Sequence, residues 1–246
     1  MVKQRRKSEI HRPVVWVVGA SRGIGREIAK QFASIGCEVC LSSRNSKELA
    51  STVKGITEIG GRAYSFPCNI AQQRSIVSTV EQIRKRLEEI DILVNNAGIT
   101  VFKTFLETSA EEFHDILTTN LYGQILCIKA VLPSMVKRKQ GWIINILSNA
   151  AIKTFEGSAA YTATKYGMHG LGKVLREEMR HHGVKVINVI PGATETEMWS
   201  AGNRRKHGHR MMRAKSVAEA VLSLYQMPDD VVVDEMVIRP MLGDID

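Results

Sequence analysis

The sequence predicts an α/β fold, a single doubly wound parallel sheet with helices on both faces. Three observations carry that prediction. Short β-branched runs alternate with longer amphipathic ones along all 246 residues. The short runs are apolar on both faces, as strands buried between two helical layers must be. No internal repeat, low-complexity tract or Pro/Gly/Ser-rich linker interrupts the alternation, and a chain of this length buries a sizeable core as one unit.

The first strand is expected over 13–20 (PVVWVVGA). The helix after it, 23–35, sets Ile24, Ile28, Phe32 and Ile35 at helical spacing and stops at Gly36, a residue type that ends helices by adopting positive φ. Further strands follow at 38–44 (EVCLSSR), 63–69 (AYSFPCN), 91–98 (DILVNNAG), 142–148 (WIINILS), 184–190 (VKVINVI) and 235–240 (EMVIRP). Helices are expected between them over 45–59, 71–89, 109–139, 158–182 and 216–226. Parallel strands joined by helices require right-handed crossovers.

Composition narrows the function classes. No apolar run approaches the roughly 20 residues that span a bilayer. The start, MVKQRRKSEIHRP, is basic but has no apolar segment behind it, so a cytoplasmic protein is expected. The four cysteines (Cys37, Cys40, Cys68, Cys127) are too few for a disulfide framework. Cys37 and Cys40 match Cys-x-x-Cys, but at the start of a strand, positions three apart face opposite ways, so both read as buried thiols and no metal site is expected.

The net charge of +9 is uneven. Residues 1–12 carry +4 and residues 203–215 (NRRKHGHRMMRAK) carry +6, which leaves the remainder near neutral. Basic segments attract phosphates without sequence preference, but neither is interleaved with the aromatics that single-strand binding uses, so nucleic acid is not the expected partner. Residues 1–12 are expected to be a flexible extension ahead of one domain over 13–246.

The first strand runs directly into a glycine-rich turn and a helix. Gly19, Gly23 and Gly25 enclose Ser21, Arg22 and Ile24 in the spacing G-x-x-x-G-x-G. Glycines there let the backbone turn tightly, approach a pyrophosphate and present helix amides to its charge, so the element predicts a dinucleotide site of the Rossmann type. The second strand selects the cofactor. A carboxylate at its end suits the ribose 2′-hydroxyl of NAD, whereas cations suit the 2′-phosphate of NADP. Here Ser43 and Arg44 follow that strand, with Arg22 in the turn, and two guanidinium groups predict NADP.

Tyr161 and Lys165 lie four apart in GSAAYTATKYG, on one helix face. A free phenol, with a pKa near 10, is a poor acid or base at neutral pH, and a neighbouring ammonium is expected to lower that value.

Taken with GASRGIG (19–25), NNAG (95–98), Asn120, Ser148 and PGATET (191–196), this pair makes the chain resemble the short-chain dehydrogenases/reductases in their roughly 250-residue form, over nearly its whole length. The resemblance implies a catalytic set of Asn120, Ser148, Tyr161 and Lys165. In it Tyr161 is the general acid, Ser148 orients the substrate oxygen, Lys165 binds the nicotinamide ribose and Asn120 holds a relay water. It also implies cofactor contacts from Asn69 and Ile70, from Asn95, Ala97 and Gly98, and from Pro191, Gly192, Thr194 and Thr196. Two positions depart from the family pattern. Val18 stands where threonine is common, and Asn69 stands where an aspartate receives the adenine amino group; its amide oxygen still accepts.

The substrate reading rests on the segment after the sixth strand, which in the family forms a lid, here near 194–215. Met198 and Trp199 supply an apolar wall, and the cations behind them attract an anionic or carrier-linked 3-oxo substrate, such as an acyl-carrier protein or coenzyme A thioester. Arg138 and Arg176 resemble carrier-binding cations of the 3-oxoacyl-carrier-protein reductases. The ending VVVDEMVIRPMLGDID is instead more similar to the branch of 3-hydroxy acid and serine dehydrogenases and small aldehyde or ketone reductases. An NADP(H)-binding sensor without turnover is the third reading, disfavoured by the intact catalytic set. The resemblance further implies a homodimer or homotetramer paired through the fourth and fifth helices.

Overall fold

The computed structural model describes residues 11–245, so the basic segment at 1–12 falls, up to residue 10, outside the described residues. The elements are β1 (Val14–Val18), α1 (Gly23–Ser34), β2 (Glu38–Ser42), α2 (Ser46–Thr57), β3 (Arg62–Ser65), α3 (Gln73–Leu87), β4 (Ile92–Asn95), α4 (Ala110–Leu117), α5 (Gly123–Arg138), β5 (Gly141–Ile146), α6 (Ala159–Met179), β6 (Val184–Pro191), β7 (Thr194–Glu195), α7 (Ala201–His207), β8 (Met212–Arg213), α8 (Ala214–Tyr225) and β9 (Glu235–Ile238). Seven strands form one sheet in the order β3-β2-β1-β4-β5-β6-β9, every pair parallel.

β1 shows why the sheet needs two helical layers. All five of its residues are buried, and they divide by the pleat. Trp16 and Val18 join Ile76, Val80, Leu126, Val131 and Met168 from α3, α5 and α6. Val15 and Val17 join Ile28, Phe32, Leu49, Ile56 and Val221 from α1, α2 and α8. Cys37 and Cys40 go to these two different cores, as their spacing predicted. All four thiols are free and buried, and burial raises Cys37 to about 11 and pushes Cys40 and Cys127 higher than their ordinary value.

The sheet order reverses between β1 and β4, which opens a crevice at their carboxyl ends. β1 to β4 end earlier than the sequence suggests, and residues just past their ends, Gly19, Ser43, Asn69 and Asn96 among them, line that crevice, whereas β6 runs one residue further than expected, to Pro191. The long helix expected over 109–139 is broken: between α4 and α5, residues Thr118–Tyr122 form a π-helical turn. By length and composition the run Ala110–Arg138 would pass for a membrane-crossing helix, since an 18-residue window within it has a mean hydropathy of 1.2. Its buried face, Ile116, Leu126, Cys127, Val131 and Met135, is packed inside the protein.

Candidate active site

The turn after β1 is closed by glycines. Gly19 has φ 83°, and a Cβ there would lie 2.7 Å from the Ala97 Cα; one on Gly25 would lie 2.3 Å from the Gly19 carbonyl oxygen. The Gly19 and Ala20 amides donate to the Ser42 carbonyl at 2.7 and 3.1 Å, and the Asn96 side chain donates to the Gly19 carbonyl at 2.8 Å. α1 then begins with no side-chain cap and no acid in its first turn. Its first amides, among those an α-helix leaves unpaired, are therefore available to an anion.

A cleft of ≈ 440 Å³ runs along this turn. Ser21, Arg22, Gly23 and Ile24 line one wall, Asn69, Ile70, Ala97 and Gly98 the other, and Thr196 and Met198 one end. Gly25 is buried behind the turn. Arg22 and Arg44 stand exposed on the rim with no carboxylate or carbonyl partner among the described residues, beside Glu48. Asn69 spends its side-chain oxygen on the Ala71 amide at 3.2 Å. The glycine cradle, the uncapped helix and the two unpartnered guanidinium groups fit a dinucleotide bearing an extra phosphate.

A second cavity of ≈ 210 Å³ adjoins the first, since Thr196 and Met198 line both. Ser148 and Tyr161 face it, with Leu147, Phe155 and Trp199. Phe102 stacks on Trp199 at 6.0 Å between ring centroids, 20° from parallel. Sequence reasoning missed Phe102 and Phe155, because only the tertiary fold brings them to Trp199. Pro191, Gly192 and Thr194, expected on the cofactor, line this second cavity instead. Its charged lining residues are two carboxylates, Glu156 and Asp244, and no cation.

Tyr161 and Lys165 sit one turn apart on α6. Lys165 is 3% exposed; its Nζ donates to the Ile146 carbonyl at 3.1 Å and lies 5.5 Å from the centre of the Tyr161 ring. Burial lowers the ammonium from its ordinary 10.5 to about 8. Burial also raises the Tyr161 hydroxyl, opposed by its hydrogen bond with Ser148. The expected lowering by Lys165 is thus corrected: in this chain alone desolvation dominates, and the phenol is a held proton. Ser148 follows β5, and its Oγ accepts from the Ala150 amide at 3.2 Å. Asn120 lies in the π turn, fully buried. Its Oδ1 accepts from the Ile99 amide and its Nδ2 donates to the Ile99 carbonyl, both at 2.8 Å, so its side chain clamps the loop after β4.

Three further expectations are corrected. Asn95 does not reach the cleft: it is fully buried and donates to Asn145 Oδ1 at 3.1 Å, while its neighbour Asn96 takes the place beside Gly19. Arg138 points to the opposite edge of the sheet, where it binds Asp91 Oδ1 at 2.6 Å and the Ile90 carbonyl at 2.7 Å. Arg176 is 6% exposed and donates to the Val186 carbonyl at 3.0 Å and the Asp234 carbonyl at 2.6 Å. Guanidinium groups held this way brace the fold and are not presented to a carrier.

A proton donor backed by a buried cation, placed where a substrate-sized cavity meets a glycine-walled cleft, defines a dinucleotide-dependent oxidoreductase. The chain belongs to the short-chain dehydrogenase family, whose model matches residues 13–207. It is 31% identical over 234 residues to an uncharacterised oxidoreductase of Staphylococcus saprophyticus, covering 95% of this chain and 99% of the relative. It is 36% identical over 186 residues to the 3-oxoacyl-[acyl-carrier-protein] reductase of Staphylococcus epidermidis, covering 75% and 76%. Among solved structures, a metagenomic short-chain oxidoreductase in complex with NADP superposes with a TM-score of 0.83 at 32% identity, covering 94% and 98% of the two chains.

Proposed function

We propose that this oxidoreductase uses NADP(H) to interconvert a carbonyl and a secondary alcohol, and that its substrate is a 3-oxoacyl group carried as a thioester. The observation that carries the reading is that Ser148 and Tyr161 line the same cavity, with the buried Lys165 one helical turn behind the Tyr161 ring, where the two cavities adjoin. The cofactor is held by the Gly19–Gly25 turn, the α1 amides and the Arg22–Arg44 pair, and when bound it supplies the hydride. Ser148 hydrogen-bonds the carbonyl oxygen and orients it. Tyr161, protonated at neutral pH, gives its proton to that oxygen. Lys165, still largely cationic at pH 7, stabilises the phenolate left behind. The Asn120 side chain is committed to Ile99, so the relay water that the family resemblance assigns to Asn120 would have to be held without it.

The inner cavity separates candidate substrates by charge. A free 3-oxo acid would bring a carboxylate to a cavity whose lining, among the described residues, offers it no cation, Lys153 and Arg239 being engaged by Asp244, whereas the reacting end of a thioester is neutral. The carrier's acidic surface would remain outside, at the exposed Arg205, Lys206 and Arg213. The test is NADPH consumption with a 3-oxoacyl-carrier thioester beside the free 3-oxo acid and simple aldehydes and ketones, each at low and high salt, with NADH as the control cofactor. Salt-sensitive turnover of the thioester with NADPH is expected. Salt-insensitive turnover confined to small carbonyls would remove the carrier from the reading, and NADH bound as tightly as NADPH would remove the phosphate clamp.

A further inference from the structure

Three carboxamides cross the centre of the sheet in one row. Asn95 on β4, Asn145 on β5 and Asn188 on β6 stand opposite one another in register, and each is fully buried. Leaving a buried amide group unpaired costs about 1–3 kcal/mol, and Asn95 and Asn145 each find an acceptor on the next strand. Asn95 Nδ2 donates to Asn145 Oδ1 at 3.1 Å, and Asn145 Nδ2 donates to Asn188 Oδ1 at 3.1 Å. The row then leaves the sheet: Asn188 Nδ2 donates to the His169 carbonyl of α6 at 3.3 Å.

That last contact orients the whole row. A peptide carbonyl only accepts, so Asn188 must turn its NH₂ to the helix and its oxygen to Asn145, which must then donate, and so on back to Asn95. The open end is where this logic puts it, at the Asn95 oxygen, which is buried without a partner. His169 is held a second time by the next residue in the row. Its Nε2 lies 2.8 Å from Oε1 of Glu235, which pairs with Asn188 across β6 and β9. Gly172, nearly one turn further along α6, admits the Asn188 side chain: a Cβ there would lie 2.3 Å from its Oδ1.

His169 is one turn beyond Lys165, and Asn145 is the residue before Ile146, whose carbonyl receives Lys165. The row is therefore a short rigid link between the helix that carries Tyr161 and Lys165 and the strand that leads to Ser148. We infer that Asn188 is a positioning residue, which sets α6 against β5 so that the Tyr161 hydroxyl meets Ser148; the inference rests on the roles given to those residues above. Buried amides that are hydrogen-bonded to one another rigidify the elements they join, which suits a spacer.

The test compares Asn188→Ala with the double variant Asn188→Ala/Gly172→Ala, whose added methyl refills part of the vacated space without restoring the donor. In both, kcat is expected to fall about ten- to a hundredfold, NADPH Kd to stay unchanged, and the alkaline limb of the kcat pH profile to shift. In the ligand-free protein, amide exchange is expected to quicken in residues 161–172 while β4 and β5 stay protected. Asn188→Ser, which keeps a donor in less volume, carries the same readouts if the alanine variant does not fold. Recovery of kcat and of the pH limb in the double variant, or a loss of thermal stability alone, would overturn the inference. If the wild-type protein turns over no carbonyl, the reading of the site fails instead, and unchanged exchange in α6 then decides against the row.

Discussion

At the residue scale, the roles proposed for the pair on α6 set turnover against stability. Tyr161→Phe removes the proton while keeping the ring, and turnover should fall about 10²–10⁴-fold with NADPH binding retained in a fluorescence titration. Lys165 is the opposite case. Its folded pKa of about 8 lies below the ordinary 10.5, so the folded chain binds fewer protons than the unfolded chain between those values, and stability rises with pH across that window. Below pH 8 the charged, buried ammonium costs its full amount, on the order of 3 kcal/mol, offset by roughly 1 kcal/mol from its bond to Ile146. Lys165→Met should therefore abolish turnover yet raise the ligand-free Tm by several degrees at pH 7, at about 2–4 °C per kcal/mol. The gain should shrink as pH is raised from 8 to 10.5; a gain that grew with pH would contradict the assignment. The structure brings Ser148 to the same cavity as Tyr161, and that Tyr161 and Lys165 share a helix face was legible because their spacing is local. Asn95 was not: β4 is buried on both faces, so nothing in the sequence says which of two consecutive asparagines turns inward.

At the scale of elements, the sequence resolved what local periodicity encodes and missed what partners decide. The glycine turn and the start of α1 follow from residue type alone. The π turn that lodges Asn120 has no signature in a helical apolar stripe, and the helix was therefore expected unbroken. Arg138 and Arg176 read as surface cations because the groups that bury them, Asp91 and Asp234, are distant in sequence and reach them only through β4 and the loop before β9. A prediction follows for Arg176. Its guanidinium satisfies two backbone carbonyls and lies 3.4 Å from Asp234 Oδ1, so Arg176→Ala should lower stability by about 3 kcal/mol in a denaturant titration. Because the group faces the fold, the salt dependence of turnover should be unchanged at temperatures where the variant is folded. A flattened salt dependence would return Arg176 to the carrier.

At the scale of the whole molecule, the positive charge lies on a rim outside a cavity that no cation among the described residues lines. The cavity beside Tyr161 is lined by Glu156 and Asp244, while residues 203–215 hold +6 of a net +9. Part of that positive charge is structural: Arg210 donates to the Asp244 carbonyl at 3.1 Å and so ties the segment to the chain end. Arg205, Lys206 and Arg213 are exposed and have no carboxylate partner among the described residues. Charges that face solvent act over about a Debye length, roughly 8 Å at physiological ionic strength, so they reach a docking partner far better than they reach a ketone inside the cavity. Arg205→Glu/Lys206→Glu reverses this field without touching either cavity. With a carrier-linked thioester at low salt, kcat/KM should fall at least about tenfold, the lower end of what electrostatic steering contributes, and its decline with added salt should flatten. With a small neutral ketone, kcat/KM should be unchanged at every salt concentration. Equal losses on both substrates would mean that α7 shapes the cavity, and the basic rim would then have no part in choosing the substrate.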